Sequence, residues 1–446
     1  MLNYYLNCAI DFGGDIIKWN DNRTLNMSLG EKIKMMREAK GVSQARLAEA
    51  ISYSASRLSQ IENGECQCQP DVLMSIKKAL NLEGMPLYDL ERQGFKDKLY
   101  RWLGVIVDGN FETAILMREK LSDIAYLPFD GELNALYNLF RCKLMLATND
   151  IKAAKGILQT FNHGPEKLSD EILYHYYYNM GTLKYNTKQR KAALDFYLKA
   201  RSIMAYDFEG NARLHFNIAT CLASLGFIVG SILFLEDVRE IYSKGRGSIT
   251  DLDIDSMIAL GFIELGQLPK AKKTLEKCYK EAMNADDGLA IGTILHNFGC
   301  LYRKAGDWNM SIEYLDQAFA YFPKGSLNYL ENLYQKARCL VDMKGYSACA
   351  ELLDEGRVLS AGDKSYSILF ESVRRLMSPN DSKSVEYLET TTIPYFLEIG
   401  ENITAVDYCE FLREHYERKG IIKKAGQMSE IARRIYRDMH EGGVAV

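Results

Sequence analysis

The sequence predicts an all-α protein in which a small helical domain precedes a long α-solenoid. The first observation is the low proline content: the 446 residues include 8 prolines, where average usage of about 5% would give roughly 22. Proline breaks helices because it lacks an N–H group and clashes with the preceding turn. The second observation is that small residues recur every 38 to 40 positions over most of the chain. Both observations argue against a β-sandwich and against a proline-rich linker protein.

The apolar runs and the cysteines indicate the cellular compartment of the protein and whether it binds a metal ion. The longest apolar run, from Phe227 to Leu235, is far shorter than the ~20 residues that cross a bilayer. The ten cysteines are scattered and none forms a C-x-x-C motif, which is typical of reduced thiols in the cytosol. Cys66 and Cys68 form the one close pair, and no second ligand pair lies near them for zinc. We therefore expect a cytoplasmic protein with no membrane partner, no metal ion and no cofactor.

Residues 1–27 form an N-terminal extension without helical periodicity, which we interpret as disordered or as an upstream-start artefact. Met27 and Ser28 look like a natural beginning of the fold. Ser28 and Glu31 have the spacing of a capping box, in which each residue bonds the backbone of the other. An arm that contacts DNA is the alternative, but its acidic balance does not suit phosphates.

Residues 28–82 predict a bundle of short helices. Leu29, Ile33 and Met36 recur at helical spacing, and Gly41 follows as a helix-ending glycine. Serines suited to capping precede the next two helices, and a proline opens a fourth, where its missing N–H costs nothing. The helix starts are therefore placed at Ser43, Ser54 and Pro70. Two short helices joined by a tight turn in such a bundle predict a helix-turn-helix.

This stretch resembles the XRE-type helix-turn-helix of phage repressors. The residues that carry the resemblance are Gly41-Val42-Ser43-Gln44, Leu47-Ala48, Ser54, Leu58-Ser59 and Ile61-Glu62-Asn63-Gly64. One departure is Ser52, where a glycine is usual in the turn between the two helices. The resemblance implies a five-helix DNA-binding domain that occupies residues 28–94 together with its linker. A degenerate domain that mediates protein contacts is the alternative.

The resemblance also implies a role for each exposed position. Gln44 would bond a phosphate, and Ala55, Ser56 and Gln60 would read base edges in the major groove. Arg57 and Asn63 would contact the phosphate backbone, and Arg37 and Arg46 are further phosphate candidates. Residues 28–82 carry eight Lys or Arg and six Asp or Glu, so one module is weakly basic. That balance favours a homodimer on a two-fold-related site in double-stranded DNA.

Residues 95–446 predict a repeat array of helix pairs. Small residues follow each predicted turn, in steps of 40, 39, 38, 40, 40 and 38, at Ala114, Ala154, Ala193, Ser231, Ala271, Ser311 and Cys349. A second series precedes most turns at the same step: Cys142, Gly181, Ala219, Ala259, Gly299 and Ala337. A fixed period with two amphipathic helices per unit indicates an α-solenoid. We predict seven clear units and about two weaker ones.

The best unit, residues 292–323, resembles a tetratricopeptide repeat. The matching residues are Phe298-Gly299, Tyr302, Gly306-Asp307-Trp308, Ser311, Ala318 and Pro323. The resemblance implies a right-handed tetratricopeptide-repeat solenoid, with steps longer than that family's 34 residues. The concave face of such a solenoid, lined by the first helix of each unit, is the candidate binding surface.

We predict that this concave face binds a peptide. Asn179, Asn217 and Asn297 recur at one repeat position, and a row of amides can bond both groups of an extended backbone. Arginine can hold a carboxylate with two hydrogen bonds, and aromatic rings can form apolar walls. The remaining candidates are Tyr178, Arg213, Phe216, His296, Arg303, Tyr334, Gln335 and Arg338. Alternatively, the asparagines bond neighbouring helices and the aromatic rings belong to the core.

The order of the two parts resembles the RRNPP family of bacterial quorum-sensing receptors, especially its PlcR and NprR branches. The resemblance implies a cytosolic DNA-binding homodimer whose repeat domain binds a short signalling peptide. Two alternatives stay open: a Rap-like regulator that contacts a response-regulator domain, and a peptide-independent prophage-type repressor. The chain has no Walker-A loop, dinucleotide fingerprint, H-E-x-x-H or G-x-S-x-G motif, so we expect no enzyme activity.

Overall fold

A computed structural model describes residues 28–82, 89–122, 131–161, 168–203, 210–242 and 250–442. The described residues are helical and contain no strand, which confirms the all-α prediction. The predicted N-terminal extension, residues 1–27, lies outside the described residues. The chain divides between residues 176 and 177 into two compact units. The predicted division at residues 94 and 95 stays a prediction.

The helices of the first unit begin with the predicted bundle: α1 Leu29–Ala39, α2 Gln44–Ala50, α3 Ala55–Glu62 and α4 Pro70–Ala79. The predicted capping box is present, because the Ser28 hydroxyl accepts from the Glu31 N–H at 3.3 Å and the Glu31 carboxylate accepts from the Ser28 N–H at 2.7 Å. Gly41 has a φ of 63° and Ser52 a φ of 52°. Ser52 thus adopts the left-handed conformation for which the family uses glycine.

Helix pairs follow in both units. The first unit continues with α5 Asp89–Val107, α6 Phe111–Ser122, α7 Gly131–Ala147 and α8 Ile151–Gln159. Helix α9, Asp170–Asn186, begins before the division and ends after it. The second unit then contains α10 Arg190–Ile203, α11 Gly210–Leu225, α12 Ile228–Tyr242, α13 Asp251–Glu264, α14 Leu268–Asn284, α15 Gly288–Lys304, α16 Trp308–Ala318, α17 Leu327–Asp342 and α18 Tyr346–Leu359. It ends with α19 Lys364–Leu376, α20 Ser382–Tyr387, α21 Ile393–Ile399, α22 Asn402–Arg418 and α23 Ile422–Gly442.

The turn inside each of the seven clear pairs repeats one backbone conformation. The residues with positive φ at these turns are Gly109, Asn149, Lys188, Gly226, Gly266, Gly306 and Lys344. Their spacing equals the spacing predicted from the small residues that follow them. Two weaker pairs, formed by α19 with α20–α21 and by α22 with α23, complete the predicted array in the described part of the chain.

The small residues lie where the two helices of a pair cross, as predicted. All seven members of the first series are buried. A Cβ atom added to Gly181 would lie 2.5 Å from the Tyr197 ring, and one added to Gly299 would lie 2.5 Å from Leu315. The Ser311 hydroxyl donates to the Gly299 carbonyl at 2.7 Å. The crossings therefore exclude larger side chains at these positions.

The second unit closes on itself through contacts that are remote in sequence. The Arg190 guanidinium lies 3.0 Å from the Glu401 carboxylate, and the Asn402 amide donates to the Leu225 carbonyl at 3.1 Å. Between them Gly400, with a φ of 79°, packs against Arg190 and Leu225. These contacts join the start of α22 to α10 and α11.

No helix in the described ranges has the length and apolar character that a membrane span needs.

We predict that Gly181→Ala lowers the stability of the second unit by about 1–3 kcal/mol, because the new methyl group overlaps the buried Tyr197 ring. Gly426→Ala is the matched control, since Gly426 lies in α23 with no atom near its Cβ position. There the substitution should stabilise by up to about 1 kcal/mol through helix propensity. Urea denaturation followed by circular dichroism measures both variants. Equal stability of the two variants would contradict the crossing.

Candidate functional site

The recognition-helix candidate α3 presents the predicted face to solvent. Its N-terminal cap is Ser54, whose hydroxyl accepts from the Arg57 N–H, and its inner face buries Leu58 and Ile61. Consequently the predicted base-reading and phosphate-contacting positions of this helix are exposed, namely Ala55, Ser56, Arg57, Gln60 and Asn63. Arg46 on α2 is exposed as well. Their roles toward DNA stay predictions.

The structure corrects the interpretation of Arg37 as a phosphate contact. Arg37 is 7% exposed, and its guanidinium binds both oxygens of the buried Glu62 carboxylate, at 2.7 and 2.8 Å. It also donates to the Val42 carbonyl at 3.0 Å. The hydrogen bonds to Glu62 raise the pKa of Arg37. The arginine therefore joins α1 to α3 inside the domain and has no face left for DNA.

Gln44 belongs to the same internal network. Its amide nitrogen donates to the Glu62 carboxylate at 3.0 Å, so the side chain is oriented at the start of α2. From the sequence, Gln44 and Arg37 could be recognised as polar side chains suited to phosphates. The Glu62 carboxylate, which both side chains bind, could not be recognised as their partner.

A cavity of about 620 Å³ lies in the second unit between α13, α15, α17 and α22. It brings together part of the predicted peptide site: His296, Asn297, Arg303, Gln335 and Arg338. These residues come from two successive repeats, because α15 and α17 are the first helices of their pairs. Leu260, Ile263, Phe322 and Phe411 add apolar wall.

Several polar atoms around this cavity are buried without a hydrogen-bond partner in the described structure. They are Asn297 Nδ2, Arg303 Nε, Gln335 Oε1 and Arg338 Nε. Asn297 is 2% exposed and Arg338 is 9% exposed. Leaving such an atom unsatisfied costs about 1–3 kcal/mol, and native proteins rarely do so without a reason. The amide of Asn297 and the guanidinium groups of Arg303 and Arg338 are donors that suit carbonyl and carboxylate oxygens.

Arg338 is held at the cavity by aromatic side chains. Its Nη1 donates to the Tyr334 hydroxyl at 3.2 Å, and its guanidinium lies 5.2 Å from the Tyr408 ring centre. Tyr334 is thus a buried supporting residue and does not line the cavity. Within the described residues, neither Arg303 nor Arg338 has a carboxylate within ion-pair distance.

The fourth wall of the cavity was not predicted. Helix α22 contributes Asp407, Glu410 and Glu414, which repeat every three or four residues and therefore share one helix face. The repeat pattern does not identify these three residues, because α22 is held near the cavity by the contact between Glu401 and Arg190, which are remote in sequence. The acidic helix faces the basic residues of α15 and α17.

The remaining predicted residues form a separate group on α9 and α11. The Asn217 amide donates to the Tyr178 hydroxyl at 3.0 Å, and Arg213 lies 6.0 Å from the Phe216 ring centre. Burial raises the pKa of Tyr178 to about 12. Asn179 is buried beside them. None of the five lines the cavity, so the structure divides the predicted site into two groups.

The described residues contain no cluster of three or more His, Cys, Asp or Glu side chains that is suited to a metal ion.

Comparison with known proteins finds similar sequences for both the N-terminal helical domain and the repeat array. A family model described as a helix-turn-helix domain matches residues 28–86. The chain is 22% identical over 406 residues to the transcriptional activator NprA of Geobacillus stearothermophilus, which covers 88% of this chain and 99% of that protein. This similarity spans the DNA-binding candidate and the repeat array together.

Two solved structures share the fold. The structure of NprR in complex with its cognate peptide NprX superposes with a TM-score of 0.67 at 21% identity, covering 77% of this chain and 99% of the other. A Rap protein complexed with competence and sporulation factor gives the same TM-score at 17% identity, covering 78% and 99%. At this identity the two structures show the shared fold.

We predict that Arg37→Ala destabilises the first four helices by about 3–5 kcal/mol, because Glu62 would remain as a buried unpaired charge. Arg46→Ala, at an exposed position of the same domain, should change stability by less than about 0.5 kcal/mol. Hydrogen exchange of residues 44–64 in the full chain distinguishes the two. Unchanged protection in the Arg37 variant would show that the buried pair does not hold the domain together.

Proposed function

We propose that this chain is a peptide-responsive transcriptional regulator. Its domain order and its fold resemble those of the RRNPP quorum-sensing regulators. In this proposal it acts in the cytoplasm, binds a two-fold-related DNA site as a homodimer, and binds a short signalling peptide in the cavity between α13, α15, α17 and α22. The observation that carries the proposal is the set of buried polar atoms without partners around that cavity.

A short peptide suits the chemistry of the cavity. Its volume of about 620 Å³ lies within the range of about 300–1,000 Å³ that is usual for ligand pockets. Asn297 offers an amide for a peptide backbone, and Arg303 and Arg338 offer guanidinium groups for a carboxylate. The apolar residues on the opposite walls accept aliphatic or aromatic side chains. NprR and the Rap protein, whose folds are similar, are both described with a bound peptide or factor.

The DNA-binding half of the proposal depends on α3. The family model for residues 28–86 and the exposed polar face of α3 support insertion of this helix into the major groove. Two copies of a weakly basic module would double the phosphate contacts, which is why we propose a homodimer.

Peptide binding regulates DNA binding only if the peptide prefers one of two states of the protein. Because α22 is part of the cavity wall and is fastened to α10 and α11 at Glu401 and Asn402, a ligand that contacts α15, α17 and α22 would favour the closed form of the second unit. This differential affinity is the proposed source of the switch.

The similarity to a Rap protein supports a second candidate, a regulator that acts by contact with a response-regulator domain. Removal of residues 1–82 distinguishes the candidates, because a regulator that acts through the repeat array keeps its effect and a transcription factor loses it. A peptide-independent repressor would keep DNA binding and would retain no peptide.

We predict that the full chain retains a subset of a synthetic pool of short random peptides, and that Asn297→Ala and Arg338→Ala reduce retention at least about tenfold, the effect of losing ~1.4 kcal/mol. Arg434→Ala on the exposed face of α23 is the matched control and should retain the same peptides as the wild type. Mass spectrometry of the retained peptides measures the effect. Retention that is equal in all three variants would remove the cavity from the proposal.

We predict that Gln60→Ala weakens binding to DNA sites selected by the full chain from a random library by about 1–3 kcal/mol and relaxes their sequence. Arg57→Ala should instead weaken all sequences alike and reduce the salt dependence of binding. The control is Met74→Ala, which changes an exposed residue of α4. If Gln60→Ala leaves both affinity and sequence preference unchanged, α3 does not read the bases.

A further inference from the structure

Two cysteines lie in the loop that joins α3 to α4, and the proposed function does not use them. Cys66 and Cys68 are separated by one residue, and both are free thiols. Within the described residues Cys66 is the only exposed cysteine, and Cys68 is half-buried. Among the other described cysteines, all but Cys300 are buried. Small reagents can therefore reach this pair, whereas they are kept from most of the other thiols.

The spacing of the two cysteines permits a disulfide between them. Cα atoms two positions apart in a chain are at most about 7 Å apart, and the Cα atoms of a disulfide are usually ~4.4–6.8 Å apart. The bond therefore needs an adjustment of the loop and no movement of a helix. A ring with one intervening residue is strained, and strained or exposed disulfides are the ones that are easily reduced again. Such a bond suits the reducing compartment that we propose, where disulfides are usually transient.

The pair contacts the helices on both sides of the loop. The N–H groups of Glu65 and Cys66 both donate to the Gln60 carbonyl of α3, at 2.8 and 3.4 Å. The Cys68 thiol donates to the Gln69 carbonyl at 3.7 Å, and the same carbonyl accepts the first backbone hydrogen bond of α4. A disulfide between the two cysteines would therefore alter the connection between the end of α3 and the start of α4.

The two thiols differ in their surroundings, and the difference gives them different roles. Burial raises the pKa of Cys68 to about 11, and the charges of Cys66 and Asp71 add to the increase. Because the thiolate is the attacking species in exchange reactions, the exposed Cys66 is the thiol that attacks first. Once Cys66 is bonded to another sulfur, its charge no longer opposes a thiolate at Cys68, which can then attack in turn.

We propose that Cys66 and Cys68 are a modification site, at which exchange with a low-molecular-weight disulfide closes a reversible disulfide between them. Cys66 gives its proton to water, and its thiolate attacks one sulfur of the small disulfide, whose S–S bond breaks. Cys68 then gives its proton to water and attacks the Cys66 sulfur, which releases the second small thiolate. Both departing thiolates take a proton from water. The two cysteines lose two electrons and the small disulfide gains them, so a small thiol reverses both steps.

The disulfide would act on DNA binding through α3. Gln60 and Asn63, two of the proposed DNA contacts, lie in the last turn of α3 and at its C-terminal cap. Strain in the ring opposes the hydrogen bonds that Glu65 and Cys66 donate to Gln60. The disulfide form should therefore hold the end of α3 less firmly and bind DNA more weakly. This consequence rests on the proposed function, whereas the formation of the disulfide does not.

The first experiment treats the reduced full chain with glutathione disulfide, alkylates the remaining thiols, and measures the peptide that contains both cysteines by mass spectrometry. In the wild type we expect the internal disulfide to exceed the glutathione adduct by at least about tenfold. Cys68→Ser should stop at the adduct on Cys66, and Cys66→Ser should react at least about tenfold more slowly, because its remaining thiol forms little thiolate. A wild type that stops at the adduct, or that forms disulfides between two chains, would overturn the proposal.

The second experiment compares the reduced and the disulfide forms for affinity toward DNA sites selected by the reduced full chain. We expect the disulfide form to bind about three- to tenfold more weakly, the effect of losing one or two backbone hydrogen bonds, and dithiothreitol to restore the affinity. The double variant Cys66→Ser, Cys68→Ser is the control and should bind equally with and without treatment. Equal affinity of the two wild-type forms would overturn the effect on α3. A chain that closes the disulfide but selects no DNA contradicts the proposed function and leaves the disulfide established by mass.

Discussion

The close crossing of two helices at a small residue is the contact on which the repeat array depends. At Gly181 and Gly299 the facing side chain leaves no room for a Cβ atom, and at Ser311 the hydroxyl bonds the backbone of the opposite helix. Because this crossing recurs with a left-handed turn every 38 to 40 residues, each pair is added to the last with a similar geometry. In the second unit α22 contacts α10 and α11 at its start, and it forms one wall of the cavity.

Local and periodic signals made much of this architecture predictable from the sequence. The Ser28–Glu31 capping box and the turn at Gly41 depend on residues a few positions apart, so their spacing is visible in the chain. The repeat is visible because one steric constraint is imposed many times. The repeat register also explains why His296, Asn297, Arg303, Gln335 and Arg338 line one cavity, and their role in peptide binding stays a prediction.

Contacts without a period were not predictable in this way. Arg190 and Glu401 are 211 residues apart, and no sequence pattern pairs them, so the acidic residues of α22 could not be assigned to the site. The prediction that Arg37 contacts a phosphate was wrong for a related reason. The sequence shows the positive charge of Arg37 but does not show that its ion-pair partner is Glu62. The group of Tyr178, Asn179, Arg213, Phe216 and Asn217 has the same residue types as the cavity group, yet it lies away from the cavity. The residue type and the repeat position of a side chain do not show whether it lines a cavity in the folded repeat array.

Helix α3 and the cavity lie in different compact units, so the proposed regulation requires that the ligand change the relative free energies of two states of the whole protein. The most direct measurement is the affinity of the full chain for its selected DNA site, with and without a peptide that has been shown to occupy the cavity. We expect saturating peptide to change this affinity by about 5–150-fold, the usual range of coupling between sites. An unchanged affinity with the peptide bound would contradict the proposed regulation.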